Sequence, residues 1–267
     1  MIVSATPVLT ALAALCYGFL AVRGARLSPT GLRTSLVLAA LLHGGVLLLS
    51  YLLAQPAHFG FAPALSITAW LVLIVYIAES RLLPQLRARV ALAWLGMATV
   101  VLAYLFPGSP TQSNATTGLD VHIALGLAAY ALFACAVLHA GLMQSAEAHL
   151  RHPKSSNLLT GDLPVMTLER LMFAFVFAGF IVLTASFVAA LFFADGELSA
   201  QALRWSHKIV FAVLAWLTFT TLLAGHRWLG WRGRKAVRMV YAGAAFLFLS
   251  YVGSHFVLEV LLKRGAA

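Results

Sequence analysis

The stretch RWSHKIVFAVLAWLTFTTLLAGHRW, residues 204–228, decides the fold class. Past Lys208 it runs to His226 without a charge and with few polar groups. A helix rises 1.5 Å per residue and a bilayer's hydrocarbon core is about 30 Å deep, so roughly 20 such residues make one membrane span. A histidine stands at each mouth of this span, His207 at one end and His226 at the other. An imidazole is a costly group to place beside hydrocarbon unless it has work to do there.

The rest of the chain has the same character. Of its 267 residues, 62% are hydrophobic and 10% charged, where soluble domains average about 45–50% and about 25%. Apolar runs near 3–22, 33–54, 62–80, 89–106, 119–145, 168–194, 205–225 and 236–260 predict eight transmembrane helices. The fold class is therefore all-α, a polytopic membrane bundle forming one transmembrane domain over 1–267, with no visible internal repeat. Two connections, 107–118 (PGSPTQSNATTG) and 146–167, carry Pro, Gly and Ser and read as loops.

The formal charge of +10 would suggest nucleic acid in a soluble protein. Here it reads as topology, because basic residues collect on the cytoplasmic side of a membrane protein. With the N-terminus outside, the inner loops hold Arg23, Arg26, Arg33, Arg81, Arg87, Arg89, Arg151, Lys154, Arg170, Arg227, Arg232, Arg234, Lys235 and Arg238. The outer side keeps Arg204, Lys208, Lys263 and Arg264. Both termini are expected outside, in a bacterial-type inner membrane. Residues 1–22 contain no Lys or Arg, so the first run reads as a span and not as a cleavable signal. The 2 cysteines, Cys16 and Cys135, fall in apolar runs and read as small buried hydrophobes.

Depth along the helices sorts the histidines into tiers. His122 and His207 open two outside-to-inside spans and are level at the outer face, with His255 in the outer part of the last span. His43, His226 and His139 lie in the inner half. His58, His149 and His152 are loop residues. Neutral imidazole is a good iron ligand, although a lone interfacial histidine is more often a hydrated anchor. The bland reading is weakest for His43, deep in ALLHGGVLLLSY, where Gly44 and Gly45 leave room for something flat or for another helix. Zinc fits poorly, because the chain has no HExxH and no CxxC. A proton-coupled transporter would want acids in mid-membrane, whereas Glu79, Asp120, Glu169 and Glu259 fall near span ends.

Three stretches carry a family resemblance: LLHGGVLLLSYLLAQPAHFGFAPALSITAW (41–70), DVHIALGLAAYALF (120–133) and WSHKIVFAVLAWLTFTTLLAGHRWLGWRGRKAV (205–237). Together they resemble the cytochrome c assembly proteins of the CcsA/CcmC and HemX-like type, in particular the YpjD-like inner-membrane branch, over about 40–260. The resemblance implies haem as cofactor or cargo. It implies that His122 is an external haem ligand and that His43 and His226 hold a haem within the membrane. It also implies that Trp205 and Lys208 close an aromatic segment packed against external haem. The chain departs from the family in two respects: the full Trp-rich motif is reduced to Trp205 within 195–208, and the second external ligand has no counterpart; position alone, and not the resemblance, makes His207 or His255 its expected replacement.

These readings converge on a haem-binding membrane protein in haem handling or cytochrome c maturation, ligating and passing on haem and not acting as an enzyme. Its expected partners are the bilayer, haem and another membrane protein, with no nucleic acid. His122 and His207 are expected to converge beside Trp205, near loop 107–118, with Arg204 and Lys208 available to haem carboxylates. Arg227 and the 232–238 cluster are placed to meet propionates from the inner side. The competing classes are a non-catalytic membrane interaction protein with a vestigial haem site, and a small-molecule or ion transporter.

Overall fold

The structure is a computed structural model and describes residues 2–52, 58–83, 86, 88–110, 117–151, 163–192 and 207–253. Among these residues there are eight α-helices: α1 (Ile2–Arg23), α2 (Pro29–Leu47), α3 (Phe61–Leu82), α4 (Arg89–Leu105), α5 (Thr117–Arg151), α6 (Val165–Phe192), α7 (His207–Leu229) and α8 (Gly233–Phe248). A π turn extends α2 over Leu48–Leu52 and another extends α8 over Leu249–Gly253. Seven helices are long and apolar enough to cross a membrane. The remaining expected span, α4, has 17 residues; at 1.5 Å per residue it reaches about 25 Å, the lower limit for a crossing.

Local chemistry explains the helix ends. Ser28 caps α2 by accepting the Gly31 N–H at 3.1 Å, with Pro29 at the first helical position, where its missing N–H costs nothing. Gly108 at φ +84° and Gly230 at φ +65° occupy left-handed backbone that a side chain would strain. The loop expected over 107–118 begins with a short strand, β2 (Ser109–Pro110), paired antiparallel with β1 (His58–Phe59). Nothing in the alternation of two-residue strands could signal this in the sequence.

The helices cluster into two compact units. The first holds α1–α4, the second α5–α8. In each, every helix packs on its sequence neighbours and the fourth closes on the first, so both are up-and-down four-helix arrangements.

Aromatic rings seated on glycines form both cores. In the first unit, buried Tyr17 of α1 lies against Gly96 of α4. The space beside Gly44 is filled by the indole of Trp70, whose Nε1 donates to the Ala40 carbonyl at 2.8 Å, and the space beside Gly45 by Leu9. The flat object expected against this pair of glycines is thus a side chain of the protein itself. In the second unit Phe133 sits on Gly179 and Phe219 on Gly243. The two rings stack at 3.9 Å and 9°. Small residues let the helices approach, and the rings fill what remains. Along α6, Leu168, Met172, Val176, Gly179 and Leu183 are buried, while Phe177, Ile181, Val188 and Leu191 are exposed. That is the apolar outer face of a helix made to meet lipid.

Candidate functional site

His43 lies in the first unit, fully buried on α2. The Tyr17 hydroxyl is 3.1 Å from its Nδ1 and the Ser66 hydroxyl 2.9 Å from its Nε2. Three helices are joined through one ring, and both nitrogens are used. Each neighbour can donate or accept, so the tautomer is open. To bind iron through Nε2, His43 must release Ser66.

The histidines of the second unit differ. His122, half-buried on α5, has Nδ1 2.9 Å from the Ser186 carbonyl of α6 and 3.1 Å from the Ser186 hydroxyl. That hydroxyl in turn donates to the His122 carbonyl at 3.3 Å. His226, near the end of α7, has Nδ1 2.9 Å from the Trp231 carbonyl, and its ring stacks on Phe173 of α6 at 3.6 Å and 21°. His139, fully buried, has Nδ1 2.8 Å from the Cys135 carbonyl of its own helix, with Phe175 at 5.1 Å. A carbonyl oxygen can only accept, so in each of these three rings Nδ1 carries the proton. The neutral imidazole then keeps its lone pair on Nε2. This is the arrangement by which a backbone carbonyl orients a metal-binding histidine.

The turn behind His226 is tightly built. The Trp231 N–H donates back to the Gly225 carbonyl at 3.1 Å, and the Trp231 indole covers Gly225 so closely that a Cβ there would collide with it. Lys235 Nζ sits 3.5 Å over the same indole, and the Gly233 N–H donates to Glu169 Oε1 of α6 at 2.8 Å. Arg227, Arg232, Arg234 and Arg238 around it are exposed.

His207 is the exposed first residue of α7. It stands at the end of the unit where α5 also begins, since Ser250, in the π turn after α8, donates to the Lys208 carbonyl at 2.9 Å. His122 and His207 therefore share one end of the second unit. Trp205, Arg204 and His255 lie outside the described residues, as does most of loop 107–118. His43 and His226 belong to different units, and each is described in its own. Among the described residues, no three His, Cys, Asp or Glu side chains gather as a metal site. Haem needs no such cluster, because its macrocycle supplies four nitrogens and the protein only the axial ligands.

Sequence reasoning did not find Ser186, Trp231 or Glu169. Ser186 is a buried serine 64 residues from its partner, and no periodicity links them. Trp231 meets His226 through its backbone carbonyl, a contact that leaves no trace in residue type.

Helices this apolar, with outward-facing stripes of Phe, Ile, Val and Leu, define a multi-pass membrane protein. Residues 31–262 match the cytochrome c assembly protein family, and the chain belongs to that family. It is 34% identical over 152 residues to the inner membrane protein YpjD of Escherichia coli K12, which bears out the YpjD-like resemblance. That alignment spans 57% of this chain and 56% of YpjD, just over half of each. A longer alignment, 30% identical over 222 residues and 77% of both chains, joins it to the uncharacterized 28.8 kDa protein in the nifR3-like 5' region of Azospirillum brasilense. No solved structure matches the chain significantly.

Proposed function

We propose that this protein binds haem in an inner membrane and takes part in haem handling or cytochrome c maturation, by ligation and transfer and not as an enzyme. The observation that carries the reading is the pair of carbonyl-anchored imidazoles, His122 and His226, each with its Nδ1 committed to a main-chain oxygen, so that Nε2 is the nitrogen that would meet a metal. His226 on the Phe173 face and His122 at the start of α5 are the first ligand candidates. His43 remains a candidate because its Nε2 meets only a hydroxyl, which iron can displace. His207 stands at the end of the unit that carries His122, and Trp205, two residues before it in the sequence, completes the set. Bound haem would supply an iron that takes axial nitrogen ligands. The protein's part is to orient those nitrogens, to exclude competing ligands with apolar side chains, and to offer Arg227 and the 232–238 cluster to the propionates. Membership of the cytochrome c assembly family and the similarity to an inner membrane protein support the setting.

The test is the absorbance spectrum of detergent-purified protein, oxidised and reduced, before and after haemin titration. A Soret band with stoichiometric uptake, diminished in His122→Ala or His226→Ala, is expected. A protein that takes up no haemin above a control membrane protein refutes the reading.

A further inference from the structure

The segment GHRWLGWRGRK, residues 225–235, does more than reverse the chain between α7 and α8. The segment and α6 together hold the His226 ring from three directions. The Trp231 carbonyl takes the Nδ1 proton at 2.9 Å. Phe173 covers one face of the ring at 3.6 Å. The covalent attachment to α7 fixes a further edge, and with Nδ1 engaged the nitrogen that would serve a ligand is Nε2. The position of the Trp231 carbonyl is in turn set on both sides. On one side the Trp231 N–H bonds the Gly225 carbonyl, and the indole is wedged over Gly225. On the other, two residues later, Gly233 adopts φ +58° and gives its N–H to the Glu169 carboxylate at 2.8 Å. Lys235 lies over the outer face of the indole at 3.5 Å, where a cation adds to the clamp.

Glu169 stands on α6, four residues before Phe173. One turn of one helix thus supplies both the carboxylate that pins the α7–α8 turn and the ring that stacks on the histidine. The acid sits near a span end, where it would otherwise read as a solvated terminal residue, and it is spent on a main-chain N–H.

We infer that Glu169 is a positioning residue for His226: by holding Gly233 it fixes the turn whose Trp231 carbonyl locks His226 in the Nδ1–H tautomer, with Nε2 presented to a ligand. The consequence for haem rests on the function proposed above. The tautomer lock does not, because it is a property of the protein alone. The role asked of Glu169 is that of a hydrogen-bond acceptor, which glutamine can also fill and alanine cannot.

The experiment uses the full chain labelled with nitrogen-15 histidine and purified in detergent, without added haem, with the His226 resonances assigned by their loss in His226→Asn. The unmutated protein should show a single Nδ1–H tautomer at His226. Glu169→Gln should keep it, and Glu169→Ala should show both tautomers in exchange. Gly225→Ala, which displaces the Trp231 indole without touching Glu169, should do the same and serves if Glu169→Ala does not fold. Haemin titration of these proteins should show affinity lowered about tenfold in Glu169→Ala, the low end of the range for losing an outer partner of a metal-bound histidine, and unchanged in Glu169→Gln. A single unchanged tautomer in Glu169→Ala, or an Nε2–H tautomer in the unmutated protein, overturns the inference. So does a Glu169→Gln protein as impaired as Glu169→Ala. If the tautomer responds as expected but His226→Ala binds haemin normally, the positioning role stands and the assignment of His226 as a haem ligand fails.

Discussion

His122 gives its Nδ1 proton to the main-chain oxygen of Ser186 across the α5–α6 seam, at 2.9 Å. The Ser186 hydroxyl, at 3.1 Å from the same nitrogen, shares that proton. His122→Ala is expected to reduce haemin uptake in titration, whereas Ser186→Ala keeps the carbonyl and should weaken uptake only a few-fold. Equal uptake by His122→Ala and the unmutated protein would remove His122 from the ligand set. If His122→Ala does lower uptake, the double variant with His207→Ala tests the outer pair, and no further loss there would leave His207 as a plain surface histidine.

His43 ties α1, α2 and α3 together through Tyr17 and Ser66. Its truncation to alanine leaves two buried hydroxyls without their partner and should cost about 2–6 kcal/mol, at about 1–3 kcal/mol for each unsatisfied group. A lowered thermal midpoint in detergent checks this. A His43→Ala protein with unchanged melting but altered haem absorbance would instead make iron binding the chief role of His43.

The Phe133–Phe219 stack lies at the centre of the second unit. Phe219→Ala should destabilise it by about 3–5 kcal/mol, the usual cost of a buried Phe lost to a cavity. Gly243→Val should be comparably harmful for the opposite reason, since a Cβ at 243 would approach Phe219 to 2.6 Å. Both are read by chemical denaturation of the detergent-solubilised protein. If Gly243→Val melts like the unmutated protein, this packing is not as close as described.

With eight crossings both termini share one side, which the distribution of basic residues predicts to be the outer one, and with α4 failing to cross they face opposite sides. Reporter fusions at Arg87 and after Ala267 are expected to behave as cytoplasmic and external respectively. A cytoplasmic C-terminal reporter would count α4 out as a span.

How much of this could be read from the chain depends on what kind of information composition carries. Hydropathy reports depth, and depth was enough to place all eight helices and to put His122 and His207 at one end of the second unit. It carries almost nothing about azimuth. Gly44 and Gly45 announced an empty space, but not that Trp70 and Leu9 would fill it. His43 announced a polar need, but its partners stand 26 and 23 residues away on other helices. Helix ends shifted where capping outweighs hydropathy. Thus α7 runs to Leu229, four residues past the expected end, because the polar and exposed turn through Arg227–Leu229 is still helical while the next residue, Gly230, turns left-handed at φ +65°.

The π turn at Leu249–Gly253 has an evolutionary meaning. A wide turn of this kind amounts to one surplus residue absorbed by an α-helix. Each residue of an α-helix advances the face by about 100°, so an inserted residue would swing everything beyond it by about that angle if the helix kept its ordinary winding, and the wide turn takes that residue up without passing the rotation on. The Ser250 hydroxyl, which reaches the Lys208 carbonyl from inside this turn, acts as the latch that makes the present register worth keeping. The second unit thus carries built-in slack at the end where His122 and His207 stand. A single codon gained or lost there is taken up within the turn, and the four-helix core beneath it need not be rebuilt.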